Sequence, residues 1–393
     1  MNCKDSTLDI LRNNINEIDE KILILLSQRR SLSIEIAEIK FRYNRPVRDV
    51  EREQLLMERL VTIGKKYQLN SCFIIKLFQL IIEDSVLIQK YIIKKKPKSS
   101  YENNAIKITF LGPKGSYSHI AARKYFTRYF DNIIECSCVN FYDIIKYVEK
   151  GIADYAILPI ENTSSGSINE VYDLLQNTNL SITHEITLYI DHCILSKKGT
   201  NLDEIKTIYS HSQPFQQCSN FIKMFPHWNI KYTESTAAAM KKVSELNLST
   251  IAAVGSEVGG SLYNLQVLRR NLANQRYNQT RFIVLSRKPI EVEDHISAKT
   301  TIIIATGQRV GTLIDVLLVL RKYNLIINKI ESRPINGNPW EEIFYIDIKN
   351  NLKSENMKRA LKDLKNITYS LRILGCYPSE GVTSMDYNKT NKY

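Results

Sequence analysis

From Leu8 onward, apolar residues recur at alternating steps of three and four: Leu8, Leu11, Ile15, Ile18, Ile22, Leu25, Leu32, Ile36 and Ile39. That spacing is the seam of a helix that faces another helix. One position in the series, Arg29, is charged. The run continues to about Tyr43 and stops at Asn44-Arg45-Pro46, because a residue preceding proline is pushed out of the α region. Ser6 with Asp9 reads as the N-terminal cap. At 1.5 Å per residue the helix is roughly 54 Å long, more than a small monomer covers.

Two more helices are expected, over about 49–66 and 71–93, the second with Ile74, Leu77, Ile81, Ile88 and Ile92 on one stripe. Three helices without a strand predict an all-α domain over 1–93 that forms an intertwined dimer. Residues 94–104 are charged, aperiodic and broken by Pro97, which reads as a linker. From Ala105 the pattern changes. Short runs such as IKITFLG, YAILPI, TLYIDHCIL, IKTIYS, NIKYTE, TIAAVG and RFIVLS alternate with helical stretches. They predict a two-lobed α/β domain over 105–286 with a largely parallel sheet. After a linker at 287–298, residues 299–380 follow the order βαββαβ, a ferredoxin-like α+β arrangement. Residues 381–393 are expected to form a flexible tail.

A chain of 393 residues has room for two or three such domains. The formal charge is +13, with lysines spread along the whole chain. A nucleic-acid reader needs a concentrated cationic face with stacking aromatics, so that class is disfavoured. The seven cysteines are odd in number and scattered, which predicts reduced thiols and a cytoplasmic setting. Cys136-x-Cys138 lacks the second pair of ligands a metal site requires. No stretch approaches the roughly 18 apolar residues of a membrane span. No metal, membrane or nucleic-acid partner is expected.

Arg29 has two readings. Its head can reach past the seam to solvent or to a glutamate. Its neighbours favour an anion site instead. Ser85 interrupts the stripe of the third helix, and Gln89 lies one turn on. Asp49, Arg52 and Glu53 crowd the start of the second helix, after Arg45 and Arg48, and Lys40 lies about three turns beyond Arg29. A bundle interior with several cations and few acids needs an anion from outside.

The stretches LRNNIN, LLSQRR, EIK, RPVRDVERE and IIEDSVLIQ resemble the helical chorismate mutase family in its dimeric form. The resemblance implies a pocket of Arg12, Arg29, Lys40, Asp49, Arg52, Glu53, Ser85 and Gln89, with Arg12 contributed by the other subunit. Guanidinium groups suit the two carboxylates of chorismate, and Lys40 and Gln89 suit the ether oxygen of the rearrangement to prephenate. Glu53 and Asp49 would orient the substrate hydroxyl or the arginines.

FLGPKGSYSHIAA (110–122) has the form of a turn opening a helix, but it lacks the GxxxxGK[ST] spacing of a phosphate loop. PIENTSSGSI (159–168) ends a strand with an acid, an amide and hydroxyls, as the edge of an α/β cleft should. With NQTRFIVL (278–285), YSHSQPFQQC and YTESTAAA, these stretches resemble the prephenate dehydratase family over about 105–285, with Thr280-Arg281-Phe282 as its signature. The resemblance implies Thr280 as the main catalytic residue, helped by Glu161, Asn162, Ser210, Gln217 and Glu234. Arg281 would bind a carboxylate or position Thr280.

Glu331-Ser332-Arg333-Pro334 and Gly311-Thr312-Leu313-Ile314 resemble the phenylalanine-responsive motifs of the regulatory ACT domain. The second departs from the usual GALV at Thr312 and Ile314. The resemblance implies L-phenylalanine bound at an ACT dimer interface as an allosteric inhibitor. Taken in order, the three segments resemble the bifunctional chorismate mutase/prephenate dehydratase family, a homodimer or higher homo-oligomer without metal or cofactor. The alternative, a non-catalytic amino-acid-binding regulator keeping these folds, is opposed by the full set of pocket residues.

Overall fold

The computed structural model describes residues 3–43, 49–95, 105–127, 130, 132–275, 277–292, 296–307, 310–335 and 341–379. Arg45, Arg48, the expected helix stop at Asn44-Arg45-Pro46, most of the expected 94–104 linker and the expected tail lie outside them. The chain divides into two compact units, Met1–Asn103 and Asn104–Tyr393.

The first unit is helical: α1 (Cys3–Arg42), α2 (Val50–Lys66) and α3 (Ser71–Lys95). α1 begins ahead of Ser6, so the expected cap falls inside the helix. Asp49 caps α2, its Oδ1 accepting the Arg52 N–H at 3.1 Å. The sheltered residues of α1 include Leu26, Arg29, Ser33, Ala37 and Lys40, at helical spacing on one face. Most of the apolar seam is bare, with Leu8 46%, Ile15 57%, Leu25 62% and Ile39 54% exposed, while Ile36 is half-buried. Its first part, Leu8 to Leu25, is therefore left uncovered by the described residues of its own unit. α2 and α3 have 17 and 25 residues against the 40 of α1, each too short to cover it from end to end.

The second unit begins with a six-stranded sheet. Its elements are β1 (Ile106–Leu111), α4 (Tyr117–Phe126), β2 (Ile133–Cys138), α5 (Phe141–Glu149), β3 (Tyr155–Asn162), β4 (Gly166–Ser167), α6 (Asn169–Asn177) and β5 (Ser181–Tyr189). A second, five-stranded sheet follows, from β6 (Cys193–Ser196), β7 (Thr207–Ser210), α7 (Ser212–Gln217), α8 (Ser219–Ile222), β8 (Asn229–Tyr232), α9 (Thr236–Leu246), β9 (Ile251–Gly255), α10 (Glu257–Leu262) and β10 (Gln266–Arg269). The chain then returns to the first sheet as β11 (Gln279–Ser286), giving the orders β2-β1-β3-β11-β5 and β10-β6-β9-β7-β8, with β4 on β3.

Two expectations are corrected here. The first sheet is mixed, because β11 comes back from the other lobe and runs antiparallel to β3 and β5. The run TLYIDHCIL is not one strand: β5 ends at Tyr189, β6 begins at Cys193, and Ile190-Asp191-His192 crosses between the sheets.

β12 (Ala298–Ala305), α11 (Thr312–Lys322), β13 (Ile327–Pro334), β14 (Glu342–Ile348), α12 (Glu355–Ile367) and β15 (Ser370–Pro378) complete the unit as an antiparallel sheet of order β13-β14-β12-β15. Strand alternation gives this sheet two buried faces. Ile302, Ile304, Ile346 and Ile348 meet Val316, Leu320, Met357 and Leu364 of the two helices. Ile303, Tyr345, Leu374 and Tyr377 join one core with Ile160, Tyr172, Leu175 and Ile182 of the first lobe. At that joint the backbones nearly touch. A β-carbon on Gly375 would lie 2.0 Å from the carbonyl oxygen of Ile182. Gly375→Ala is expected to destabilise the unit by about 3 kcal/mol, read as a lowered thermal midpoint; an unchanged midpoint would mean that the sheets slide apart freely.

Candidate active sites

In the helical unit, Arg29 turns from the seam toward α3. Its Nη1 donates to the Ile81 carbonyl at 3.1 Å and to Ser85 Oγ. Burial draws the Arg29 guanidinium below its ordinary range, opposed by Asp84. One turn beyond Ser85, Gln89 is buried, and its Oε1 has no hydrogen-bond partner among the described residues. Burial also pulls Lys40 down, while Asp49 and Glu53 act to raise it and Arg52 to lower it, so these four groups share one region. Arg12 stands apart, exposed and paired with Asp9 at 3.3 Å. It precedes Arg29 by 17 residues, about 26 Å along one helix.

In the second unit, strand pairing assembles the site. β11 pairs with β3 so that Thr280 faces Asn162 and Arg281 faces Glu161. Asn162 Nδ2 donates to Thr280 Oγ1 at 2.9 Å, to Asn278 Oδ1 at 2.7 Å and to the Gln279 carbonyl at 3.1 Å. Its Oδ1 accepts the backbone N–H groups of Ser164 and Ser165 at 2.9 and 3.0 Å. With a donor already on Oγ1, the Thr280 O–H is left to donate elsewhere. Gln217, at the end of α7, joins through Asn278, whose Nδ2 lies 3.1 Å from Gln217 Oε1. The other two expected residues contribute less to this network. Ser210 is buried and donates to the Val254 carbonyl at 2.8 Å. Glu234 is exposed, and among the described residues no hydrogen bond or ion pair ties it to the network.

Arg281 points into a cluster of carboxylates. Its Nε lies 2.9 Å from Glu161 Oε1, and its Nη1 lies 2.5 Å from Asp347 Oδ2 and 3.4 Å from Glu185 Oε2. Lys299 meets Glu185 at 2.6 Å, and Lys329 meets Glu161. Burial alone would raise the Asp347 carboxyl; Arg281, helped by Thr301 and Lys299, holds it below the usual range. Burial opposes the charge on Arg281 as well, yet Asp347 with Tyr377, Glu161 and Glu185 lifts it well above its ordinary value. With three protein carboxylates around it, Arg281 is suited to positioning its neighbour rather than to binding a substrate carboxylate.

The expected regulatory motifs divide. Along β13, Glu331 accepts from Ser167 Oγ at 2.5 Å, and Arg333 makes a two-pronged pair with Asp173 at 2.8 Å. Ser332 and Pro334 face the other way and are exposed. Gly311 precedes α11 in a left-handed conformation, φ 81°, which glycine adopts without strain. Thr312 is buried, Leu313 half-buried and Ile314 exposed.

Some partners escaped the sequence reading. Asn278 lies one residue ahead of β11, two before Thr280, so carrying the strand's alternation one step back would have found it. Glu185, Lys299, Lys329 and Asp347 carry no such signal, because only the pairing of distant strands brings them to Arg281. Among the described residues there is no group of three or more potential metal ligands, and no helix is long and apolar enough to cross a membrane.

The chain matches the family model for chorismate mutase type II over residues 11–90 and that for prephenate dehydratase over residues 108–290. A bifunctional chorismate mutase/prephenate dehydratase of Enterobacter agglomerans is 60% identical over 378 residues, 96% of this chain and 97% of the relative. The chain belongs to this bifunctional family. A bifunctional chorismate mutase/prephenate dehydratase carries two activities of phenylalanine biosynthesis: rearrangement of chorismate to prephenate, then loss of CO2 and water to give phenylpyruvate. Two solved structures each cover 70% of this chain: GqqA, described as a quorum quenching acylase (27% identical, TM-score 0.64, 98% of that chain), and the prephenate dehydratase of Arthrobacter aurescens in complex with L-Phe (26% identical, TM-score 0.63, 90% of that chain).

Proposed function

We propose that residues 1–93 carry the mutase, residues 105–286 the dehydratase and residues 299–380 an ACT domain of ferredoxin-like fold that binds L-phenylalanine as inhibitor. The mutase needs no nucleophile, since its substrate only exchanges bonds. Arg12, Arg29 and Arg52 hold the two carboxylates in a compact conformer, and Lys40 and Gln89 donate to the ether oxygen as its C–O bond lengthens. Ser85 braces Arg29, and Asp49 and Glu53 orient the cations or the substrate hydroxyl. The bare seam of α1 and the distance from Arg12 to Arg29 support an intertwined homodimer in which a second copy covers the seam and lends its Arg12.

In the dehydratase, the carboxylate carbon leaves as CO2, its bonding pair enters the ring, and the ring C–O bond breaks. One proton from solvent completes water. Thr280 donates its O–H to the departing hydroxyl, and Glu161, Asn162, Ser210, Gln217 and Glu234 form the surrounding pocket. The observation that carries this reading is the Asn162 donor on Thr280 Oγ1, which leaves the Thr280 hydrogen free to serve as donor. Arg281, locked among carboxylates, positions Thr280.

Gly311 to Ile314 and Glu331 to Pro334 supply the phenylalanine site. The complex of the Arthrobacter aurescens relative with L-Phe supports that assignment, and the biosynthetic activity of the relatives supports a cytoplasmic setting. The test supplies purified protein with chorismate alone and follows phenylpyruvate, with and without phenylalanine. Phenylpyruvate formed and then suppressed by phenylalanine is expected. Prephenate accumulating without phenylpyruvate would remove the dehydratase assignment.

A further inference from the structure

A hydrogen-bond chain leads from the Thr280 pocket to Tyr117, and its polarity is set from one end. Peptide N–H groups only donate, so Asn162 Oδ1, which faces those of Ser164 and Ser165 at 2.9 and 3.0 Å, is the oxygen of its amide. Asn162 Nδ2 therefore donates to Asn278 Oδ1 at 2.7 Å. It follows that Asn278 Nδ2 donates to Gln217 Oε1 at 3.1 Å. The same Oε1 lies 2.8 Å from His192 Nε2, so that nitrogen carries the imidazole hydrogen. His192 Nδ1 is then an acceptor, and it faces the Tyr117 hydroxyl at 2.9 Å. The single Tyr117 hydrogen is shared between that nitrogen and the Asp191 carbonyl oxygen, 2.8 Å away, and the Tyr117 ring meets the imidazole edge-on at 5.6 Å.

His192 is 1% exposed and sits on the short crossing between the two sheets. Burial draws its imidazole below the ordinary range, against a weaker upward pull from Gln217. With two donors on Oε1, the Gln217 amide has its NH2 group in hand, and no described residue accepts from it. Nothing in the mechanism above uses His192 or Tyr117.

We propose that His192, held by Tyr117, is a positioning residue that locks the Gln217 amide with its NH2 toward the substrate, so that Gln217 serves prephenate as a donor to oxygen. This rests on the dehydratase reading of the Thr280 pocket. Asn162 is fixed independently by Ser164 and Ser165, so the effect of His192 is confined to Gln217 and to substrate binding.

The test measures steady-state dehydration of prephenate. His192→Phe keeps the ring and removes the donor; KM is expected to rise about tenfold with kcat within about threefold. His192→Gln restores an N–H and recovers most of the loss. In a Gln217→Ala background His192→Phe adds nothing further. Should His192→Phe fail to fold, Tyr117→Phe removes a single hydroxyl and shifts KM in the same direction by a smaller factor. A fall in kcat at unchanged KM, additive effects with Gln217→Ala, or no effect from either ring variant overturns the proposal. If Thr280→Ala dehydrates prephenate normally, the underlying reading fails instead; an inactive Thr280→Ala beside a normal KM in His192→Phe overturns the positioning role alone.

Discussion

Thr280→Ala is expected to lower dehydratase kcat by about 10²- to 10⁴-fold, the range for loss of a positioned proton donor, while mutase turnover on the same molecule stays unchanged. The structure makes this a chemical test. Asn162 loses one of three acceptors but keeps Asn278 and the Gln279 carbonyl, and its oxygen stays fixed by Ser164 and Ser165. The local frame therefore survives, and only the hydroxyl is gone. Parallel assays with chorismate and with prephenate read the two activities separately. Equal loss of both would refute the assignment of Thr280.

The second large effect concerns Arg12 and Arg29. On the proposed pocket, each single alanine variant should lose about 10²-fold or more of its mutase activity, since each would remove a charge-assisted contact to a substrate carboxylate. Their mixture is more informative. When Arg12→Ala and Arg29→Ala chains are unfolded together and refolded, random pairing makes about half of the dimers hybrids. In a hybrid, one pocket combines an intact Arg29 with the partner chain's intact Arg12. The mixture should recover about a quarter of wild-type activity. A mixture as inactive as its components would place both arginines in a pocket made by one chain.

Much of the fold was legible because burial writes a period into sequence. The long seam of α1, the α/β alternation and the final βαββαβ order each came from apolar spacing. What spacing could not say is which neighbour an apolar face meets. The seam predicted a helix partner, yet in its own chain Leu8 to Leu25 stay exposed, while Ser33 and Ala37, farther along the helix, pack inward. The run TLYIDHCIL read as one strand because every residue in it suits a pleated sheet; the break at Ile190 to His192 depends on two sheets lying side by side, which no local pattern encodes. The site followed the same rule. Residues within a motif, such as Asn162 and Thr280, were found, whereas Asp347 and Lys299 reach Arg281 only through long-range strand order.

The charge cluster around Arg281 bears on how such a chain is assembled from parts. In sequence residues 299–380 look detachable, an independent piece joined by a linker. In three dimensions Lys299, Lys329 and Asp347 complete the electrostatics of side chains that belong to the preceding segment, and Tyr377 and Leu374 fill its core. A cut within 287–298 would strand Glu185 without its lysine and leave Arg281 short of its closest carboxylate. The boundary visible in the sequence is thus a poor place to truncate or to swap: a donor dehydratase grafted onto this C-terminal piece inherits a working joint only if it brings matching charges at positions equivalent to Glu161, Glu185 and Arg281.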